Sequence, residues 1–186
     1  MSAFVLSLPE VEKEGTKRLT FPVTYGWLRE ALADTDVTAG AGADDAEAGR
    51  LEVQASKTGS DLLVQARVLA TLEAACARCL GPVTHAADVH FTSLLSPLAA
   101  ATALPEELEL TPEDLDRETF SGDDVVLDAI VREQLLLDLP MRLVHEEGGC
   151  DPDVVGYLES DAAKAARMDP RLAPLLALKD RLGKDE

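Results

Sequence analysis

The sequence is poor in basic and aromatic residues. It has 17 lysines and arginines against 35 aspartates and glutamates in 186 residues, a formal net charge of −18. An acidic surface repels phosphate, so this balance disfavours tight, sequence-independent binding of nucleic acid. Aromatic residues make up only 4% of the chain, too few for a platform on which bases stack. The same charge attracts basic proteins.

Features typical of secreted, membrane and enzyme sequences are also missing. No apolar leader opens the chain and no long apolar run follows, so we expect a soluble cytoplasmic protein with no membrane partner. Three cysteines are too few for a disulfide framework, and cytoplasmic thiols stay reduced. The motifs GxSxG and HExxH and a phosphate-binding glycine loop are absent. We therefore predict no enzymatic activity and no small-molecule substrate.

Alternation of apolar and polar residues runs through the middle of the chain. It is found in three segments, Leu51–Ser56, Leu62–Glu73 and Val83–Leu95, which are joined by short turns. A period of two is typical of strands with one covered face, so the pattern predicts an antiparallel β-meander. The pattern leaves open whether this meander curls toward a half barrel or stays flat.

A long helix is predicted to cover the apolar face of the meander. Val125–Leu139 carries an apolar stripe of helical spacing, follows the capping residues Asp123 and Asp124, and ends at Pro140. The predicted fold class is therefore α+β, in one domain of residues 1–186 with additional short helices. The further predicted elements are strands at Ala3–Leu8 and Arg18–Val23, a helix at Tyr25–Ala33 and a C-terminal helical segment at 169–183. Pro22 places the second of these strands at a sheet edge, because proline cannot donate a hydrogen bond to a neighbouring strand.

Two segments lack the apolar residues that a core requires. Residues 38–49 are small, acidic and glycine-rich, and residues 96–120 are acidic around the single base Arg117. We predict that both are flexible loops. For the second segment, whose acidic run continues to Asp124, two interpretations remain open: a solvated insert, or a docking surface for a basic partner.

Two cysteines occupy the turn between the second and third alternating segments, Cys76–Pro82 (CARCLGP). The glycine and proline of this turn favour a tight bend. Later in the chain, His145 and Cys150 are separated by two acids and two glycines. Together, Cys76, Cys79, His145 and Cys150 offer three thiolates and an imidazole, a permissible tetrahedral ligand set for zinc.

Other roles of the thiols remain open at this point. A redox CxxC needs a helix N-terminus, where the helix dipole lowers the thiol pKa, whereas this pair joins two strands and precedes Pro82. The remaining interpretation is packing, because reduced cysteine is among the residue types most often buried. His85 and His90 lie on opposite faces of one strand, and we interpret both as ordinary surface or packed residues.

Five short features follow one another between Leu51 and Leu182. They are the Cys76-x-x-Cys79 turn, the acidic segment with Leu104-Pro105-Glu106, the helix Val125–Leu139 closing in Leu-Pro, the stretch Val144–Cys150, and the run Asp169–Leu175 leading into Leu178-Lys179. In this order they resemble the YceD family, the large ribosomal RNA subunit accumulation proteins. Many members of that family carry a second CxxC after the Leu-Pro helix, where this sequence has His145 and Cys150.

The resemblance implies a bacterial cytoplasmic protein that supports the synthesis, processing or stability of large-subunit ribosomal RNA without acting as an enzyme. Because the chain is so acidic, we expect it to act through a basic protein partner, a ribosomal protein or an rRNA-processing factor. The alternatives are a zinc-stabilised module that contacts RNA directly and a thiol redox protein. In the RNA-contacting alternative, the turn would act with the clustered bases Lys164, Arg167, Arg171, Lys179 and Arg181.

Overall fold

The computed structural model describes residues 3–98, 117–160, 163 and 171. Most of the predicted loop 96–120, nearly all of the predicted helical segment 169–183 and four of the five clustered bases lie outside the described residues. The described part contains eight strands and four helices, which are β1 (Val5–Ser7), α1 (Leu8–Glu14), β2 (Thr16–Thr24), α2 (Tyr25–Ala31), β3 (Val37–Thr38), β4 (Glu47–Thr58), β5 (Asp61–Ala75), β6 (Pro82–Pro97), β7 (Arg117–Phe120), β8 (Asp124–Val126), α3 (Asp128–Leu137) and α4 (Pro152–Glu159).

Six of the strands form one mostly antiparallel sheet. Its order is β2-β4-β5-β6-β7, and β3 pairs with β5 at its side. Only the β6–β7 pair is parallel among these described strands. The predicted meander is thus confirmed as β4, β5 and β6. In the described sheet β2 and β7 are the two ends, so no closed barrel forms, and a half-barrel curl is not confirmed.

The alternation in sequence becomes a buried and an exposed face of the sheet. On β5 the buried residues are Leu62, Val64, Ala66, Val68, Ala70 and Leu72. The pairing of Val53 with Ala66, and of Ala66 with Phe91, continues this face across β4 and β6. The opposite face carries polar residues such as Gln65, as expected for a sheet that is covered on one side.

The helix that was predicted over Val125–Leu139 is shorter in the structure. Val125 and Val126 belong to β8, which pairs with β1, and only Asp128–Leu137 is helical. The buried residues of α3 are Ile130, Val131 and Leu135, and they join the core formed by the strands. One long helix covering the meander is therefore not confirmed. None of the described helices combines the length and apolar character needed to cross a membrane.

The N-terminal region differs in detail from the prediction. The first strand is confirmed as β1, but Pro9 lies in the first turn of a helix, α1, which the alternation in AFVLSL did not indicate. Proline is favoured there because the first helical N–H groups have no partner within the helix. The segment 38–49 is also more ordered than predicted at its ends, since Thr38 ends β3 and Glu47–Gly49 begin β4.

One carboxylate connects three separate parts of the fold. Asp128 at the start of α3 accepts hydrogen bonds from the backbone N–H of Ala3 at 2.9 Å, that of Phe4 at 3.0 Å and the indole Nε1 of Trp27 at 2.8 Å. Trp27 in turn packs on Phe4, with ring centroids 4.6 Å apart. The N-terminal residues Ala3 and Phe4, helix α2 and helix α3 are therefore held together by the side chain of Asp128.

A substitution at Gly49 is expected to disturb the sheet. A Cβ at this position would lie 1.9 Å from the Leu69 carbonyl oxygen and 2.9 Å from the Ala70 Cα on β5. We expect Gly49→Ala to lower the free energy of unfolding by about 1–3 kcal/mol, the usual cost of overpacking, measured by urea denaturation. Gly156→Ala is the matched control, because nothing lies within 4 Å of its Cβ. Equal stability of the two variants would contradict the prediction.

Candidate metal centre

The cysteine turn is a tight connection between β5 and β6. The Cys76 N–H donates to the Gly81 carbonyl at 2.8 Å, and the Leu80 N–H donates to the Cys76 carbonyl at 2.9 Å. Leu80 adopts a left-handed backbone with φ of 62°, which is uncommon for residues other than glycine, asparagine and aspartate. The Arg78 N–H lies 3.4 Å from the Cys76 Sγ and donates to it. The backbone of the turn thus directs polar hydrogens at a sulfur atom.

A second part of the chain, the ligand segment (residues 138–151), reaches the turn after α3. The Ala77 N–H donates to the Leu143 carbonyl at 2.8 Å, which fixes the segment beside the turn. Gly148 has φ of +83°, and a Cβ on Gly149 would lie 3.0 Å from the His145 Cβ. These two glycines therefore permit the reversal that brings Cys150 back toward His145.

The four residues predicted from sequence as ligands converge in the structure. One donor atom from each of Cys76, Cys79, His145 and Cys150 lies within 4.8 Å of the other three. The Cys76 and Cys150 sulfurs are 3.8 Å apart, and the His145 Nδ1 lies 3.4 Å from the Cys79 Sγ and 3.8 Å from the Cys150 Sγ.

These separations agree with a tetrahedral ion. Zn–S bonds of about 2.3 Å at a tetrahedral angle place two sulfurs about 3.8 Å apart, and a sulfur and a nitrogen slightly closer. They disagree with a disulfide, whose sulfurs are about 2.05 Å apart, and all three cysteines are free. The donor set, three sulfurs and one imidazole, is also one that zinc accepts. The residues present therefore fit a bound zinc ion.

The orientation of His145 supports the same interpretation. Its Nε2 lies 2.8 Å from the Pro82 carbonyl oxygen, which only accepts hydrogen bonds. Nε2 therefore carries a hydrogen and donates it, which leaves the Nδ1 lone pair of the neutral ring facing the sulfurs. Histidine ligands of metals commonly donate their second ring N–H to a carbonyl or carboxylate in this way.

Backbone N–H groups of the turn lower the pKa of both of its thiols. The backbone N–H of Cys79, with that of Arg78, lowers the pKa of the Cys76 thiol to about 5 against the opposing effect of burial. The N–H groups of Gly81 and Asp151 lower the pKa of Cys79. Metal binding requires deprotonated sulfur, so these hydrogen bonds favour it.

The pKa values of the third thiol and of the imidazole are both raised. Burial, followed by the neighbouring Cys76 and Cys79 thiols, raises the pKa of Cys150 to about 11. The Pro82 carbonyl, followed by the Cys76 thiol, raises the pKa of His145. A divalent cation between the four donors would reverse both effects, because it attracts the third thiolate and displaces the imidazole proton.

The surroundings of the cluster include contacts that sequence reasoning missed. Arg78 pairs with Glu159 at 3.0 Å and so ties the turn to α4. His85, interpreted from sequence as an ordinary residue, lies with its Nε2 2.7 Å from the Asp138 Oδ2, whereas His90 is exposed. A cavity of about 430 Å³ adjoins His145 and Cys150. These contacts join the β5–β6 turn and β6 to segments that are distant in sequence, so no local sequence pattern indicates them.

The structure defines an acidic α+β protein with a cluster of zinc-type ligands at the turn between β5 and β6 of a mostly antiparallel sheet. A family model described as "Large ribosomal RNA subunit accumulation protein YceD" matches residues 64–179, more than half of the chain and all four cluster residues. The chain belongs to the YceD family, as the sequence motifs predicted, and the family name points to a role in the accumulation of large-subunit ribosomal RNA. Neither the curated proteins nor the solved structures contain a significant match.

Proposed function

We propose that this protein supports the synthesis, processing or stability of large-subunit ribosomal RNA as a non-enzymatic binding factor. In this proposal a basic protein is its partner, and zinc held by Cys76, Cys79, His145 and Cys150 stabilises its structure. The observation that carries the proposal is the convergence of four donor atoms within 4.8 Å, inside the region that the family model matches.

The donor set supports a structural ion and disfavours a catalytic one. Catalytic zinc sites keep one position open for water or substrate, whereas four protein ligands close the coordination shell. The zinc would therefore link β5, β6 and the ligand segment. Redox chemistry at Cys76 is disfavoured by access: although the pKa of Cys76 is low, its side chain is 0% exposed, and a partner disulfide must reach the attacking sulfur.

The ion pairs of the described residues support a protein partner over RNA. Many of the described bases already contact carboxylates, namely Lys17, Arg29, Arg50, Lys57, Arg67, Arg78 and Arg132. Each base that neutralises a carboxylate is less available to phosphate. The surplus of acids then remains to attract cationic segments.

Depletion of the protein tests the proposed function. We expect the ratio of large to small ribosomal subunits in sucrose gradients to fall, and wild-type protein to restore it. Cys76→Ser should fail to restore the ratio, whereas Ala75→Ser, the adjacent exposed position, should succeed. Normal large-subunit levels after depletion would rule out the proposed role.

A pull-down at low and high salt tests the partner class. We expect basic proteins to be recovered at low salt and lost at high salt, because surface attraction is screened. Recovery of ribosomal RNA without any basic protein would favour the zinc-stabilised RNA-contacting alternative.

A further inference from the structure

We infer that the cavity beside the cluster is a docking surface for a segment of a protein that is rich in lysine or arginine and inserts an apolar side chain. We call it the cluster cavity; its lining includes Arg142, Val144, Glu146, Glu147 and Val155. Its volume of about 430 Å³ lies within the usual range of ligand sites, about 300–1,000 Å³. The identity of the partner as a large-subunit protein rests on the proposed function, whereas the surface itself does not.

The apolar part of this surface lacks a partner within the described residues. No residue of α4 is buried, although the helix carries Val154, Val155, Tyr157 and Leu158, and Val155 lines the cavity. Most of the exposed large apolar side chains of the described residues lie on the turn, the end of α3, the ligand segment or α4, namely Leu80, Leu137, Met141, Val144 and Tyr157. Exposed apolar surface is typical of interaction sites, and of these five side chains Val144 lines the cavity itself.

The charges around the cavity select a cationic partner. Glu146, Glu147 and Asp153 are exposed and make no ion pair with any described residue, and Glu159 is engaged by Arg78. Arg142 is the other base in the lining. Because Arg78 is engaged by Glu159, the lining is left with Glu146 and Glu147 against Arg142, and Asp153 follows the lining residue Pro152. This net negative charge complements lysine and arginine and speeds their encounter with the site.

The backbone of the turn provides an independent observation. Leu80 is 79% exposed although its φ of 62° is unfavourable for a leucine. A large apolar side chain is thereby presented to solvent at a position that glycine or asparagine would occupy without strain. Residues in sparsely populated backbone regions cluster at functional sites; Leu80 directly follows the cluster ligand Cys79, beside the cavity-lining residue Arg78 of the same turn.

Site-specific photo-crosslinking in the full-length protein tests which molecule occupies the cavity. The probe is the protein fraction of purified large ribosomal subunits, freed of RNA. Benzoylphenylalanine in place of Val144, which is 43% exposed, should crosslink to a basic protein of this fraction. The same group in place of Val126, 46% exposed on β8, is the matched control and should not. A crosslink from position 144 to a second copy, or to residues 164–186 of the same chain, would overturn the proposal.

Charge reversal tests what attracts the occupant. We expect Glu146→Lys with Glu147→Lys to weaken binding of the same fraction about tenfold or more at low ionic strength, the size of effect expected when attraction becomes repulsion. Asp123→Lys with Asp124→Lys is the matched control, another exposed acidic pair outside the cavity, and should change binding far less. An equal loss from the control pair would assign the attraction to the acidic segment 96–124.

The outcomes separate this inference from the proposed function. If depletion lowers large-subunit levels but the cavity variants bind and crosslink like wild type, the docking surface is wrong and the function stands. If wild-type protein retains none of the ribosomal proteins, the cationic partner is wrong. If the cavity variants lose binding while depletion leaves ribosomal subunits normal, the surface stands and the proposed function fails.

Discussion

Cys76→Ser is expected to abolish zinc binding and to lower the melting temperature by roughly 10 °C. The side chain of Cys76 is 0% exposed and is 3.8 Å from Cys150, so serine would leave a buried hydroxyl and an incomplete ligand set. Structural zinc contributes about 10–16 kcal/mol in small peptides; here the loss should be smaller, since the core of β4, β5 and α3 is independent of the metal. Each 1 kcal/mol changes the melting temperature of a domain this size by about 2–4 °C.

Zinc content after purification in reducing buffer, and calorimetry with and without chelator, measure this effect. Chelation should lower the melting temperature of the wild type toward that of Cys76→Ser and leave the variant unchanged, and added zinc should restore only the wild type. Ala75→Ser is the control, because it introduces a hydroxyl at the end of β5 without removing a ligand, and it should retain zinc. Wild-type protein that contains no zinc, and melts alike before and after chelation, would refute the metal site.

Asp128→Ala is expected to lower the free energy of unfolding by about 3 kcal/mol or more, without loss of zinc. The substitution removes the acceptor for two backbone N–H groups and for the Trp27 indole. The Ala3 N–H is exposed and can bond water, but the bonds of the Phe4 N–H and the Trp27 indole are part-buried. A buried donor left without a partner costs about 1–3 kcal/mol, and Trp27 is only 9% exposed. Because Asp128 lies outside the ligand segment, the two largest predicted effects concern different regions of the fold.

Urea denaturation followed by tryptophan fluorescence measures the change directly, since Trp27 is the single tryptophan of the chain. Asp128→Asn should lose less, because an amide keeps one acceptor oxygen. Glu133→Ala, an exposed position on the same helix, should be close to neutral. A loss for Asp128→Ala no greater than that for Glu133→Ala would show that these hydrogen bonds do not stabilise the protein.

The central sheet was predictable because its signal is local. A period of two over β4, β5 and β6 with short turns specifies neighbours, faces and direction together. The edge position of β2 followed from Pro22 in the same local way. The parallel partner β7 and the β1–β8 pair were not predictable, because each joins segments that are distant in sequence and carries too few residues for a periodic pattern.

The candidate site was partly predictable for a different reason. Residue type alone identified Cys76, Cys79, His145 and Cys150, because few side chains offer soft metal ligands. Their proximity could not be deduced from sequence, because it depends on the hydrogen bond between the Ala77 N–H and the Leu143 carbonyl and on the bend at Gly148. For the shortened helix, the local pattern was misleading. The apolar residues before Asp128 matched a helical stripe, but Val125 and Val126 pair with β1 instead.

The separation of the ligands along the chain has a kinetic consequence. Cys76 and Cys79 are three residues apart, whereas Cys76 and Cys150 are separated by 74 positions. Closing a flexible loop of that length costs about 4 kcal/mol of free energy through lost entropy, so we expect the complete cluster to form only after the intervening strands and α3 have brought its two halves together. The nascent chain can therefore present the cysteine pair long before the histidine and the last thiol have been synthesised, and capture of the proposed zinc ion would be a late event of maturation.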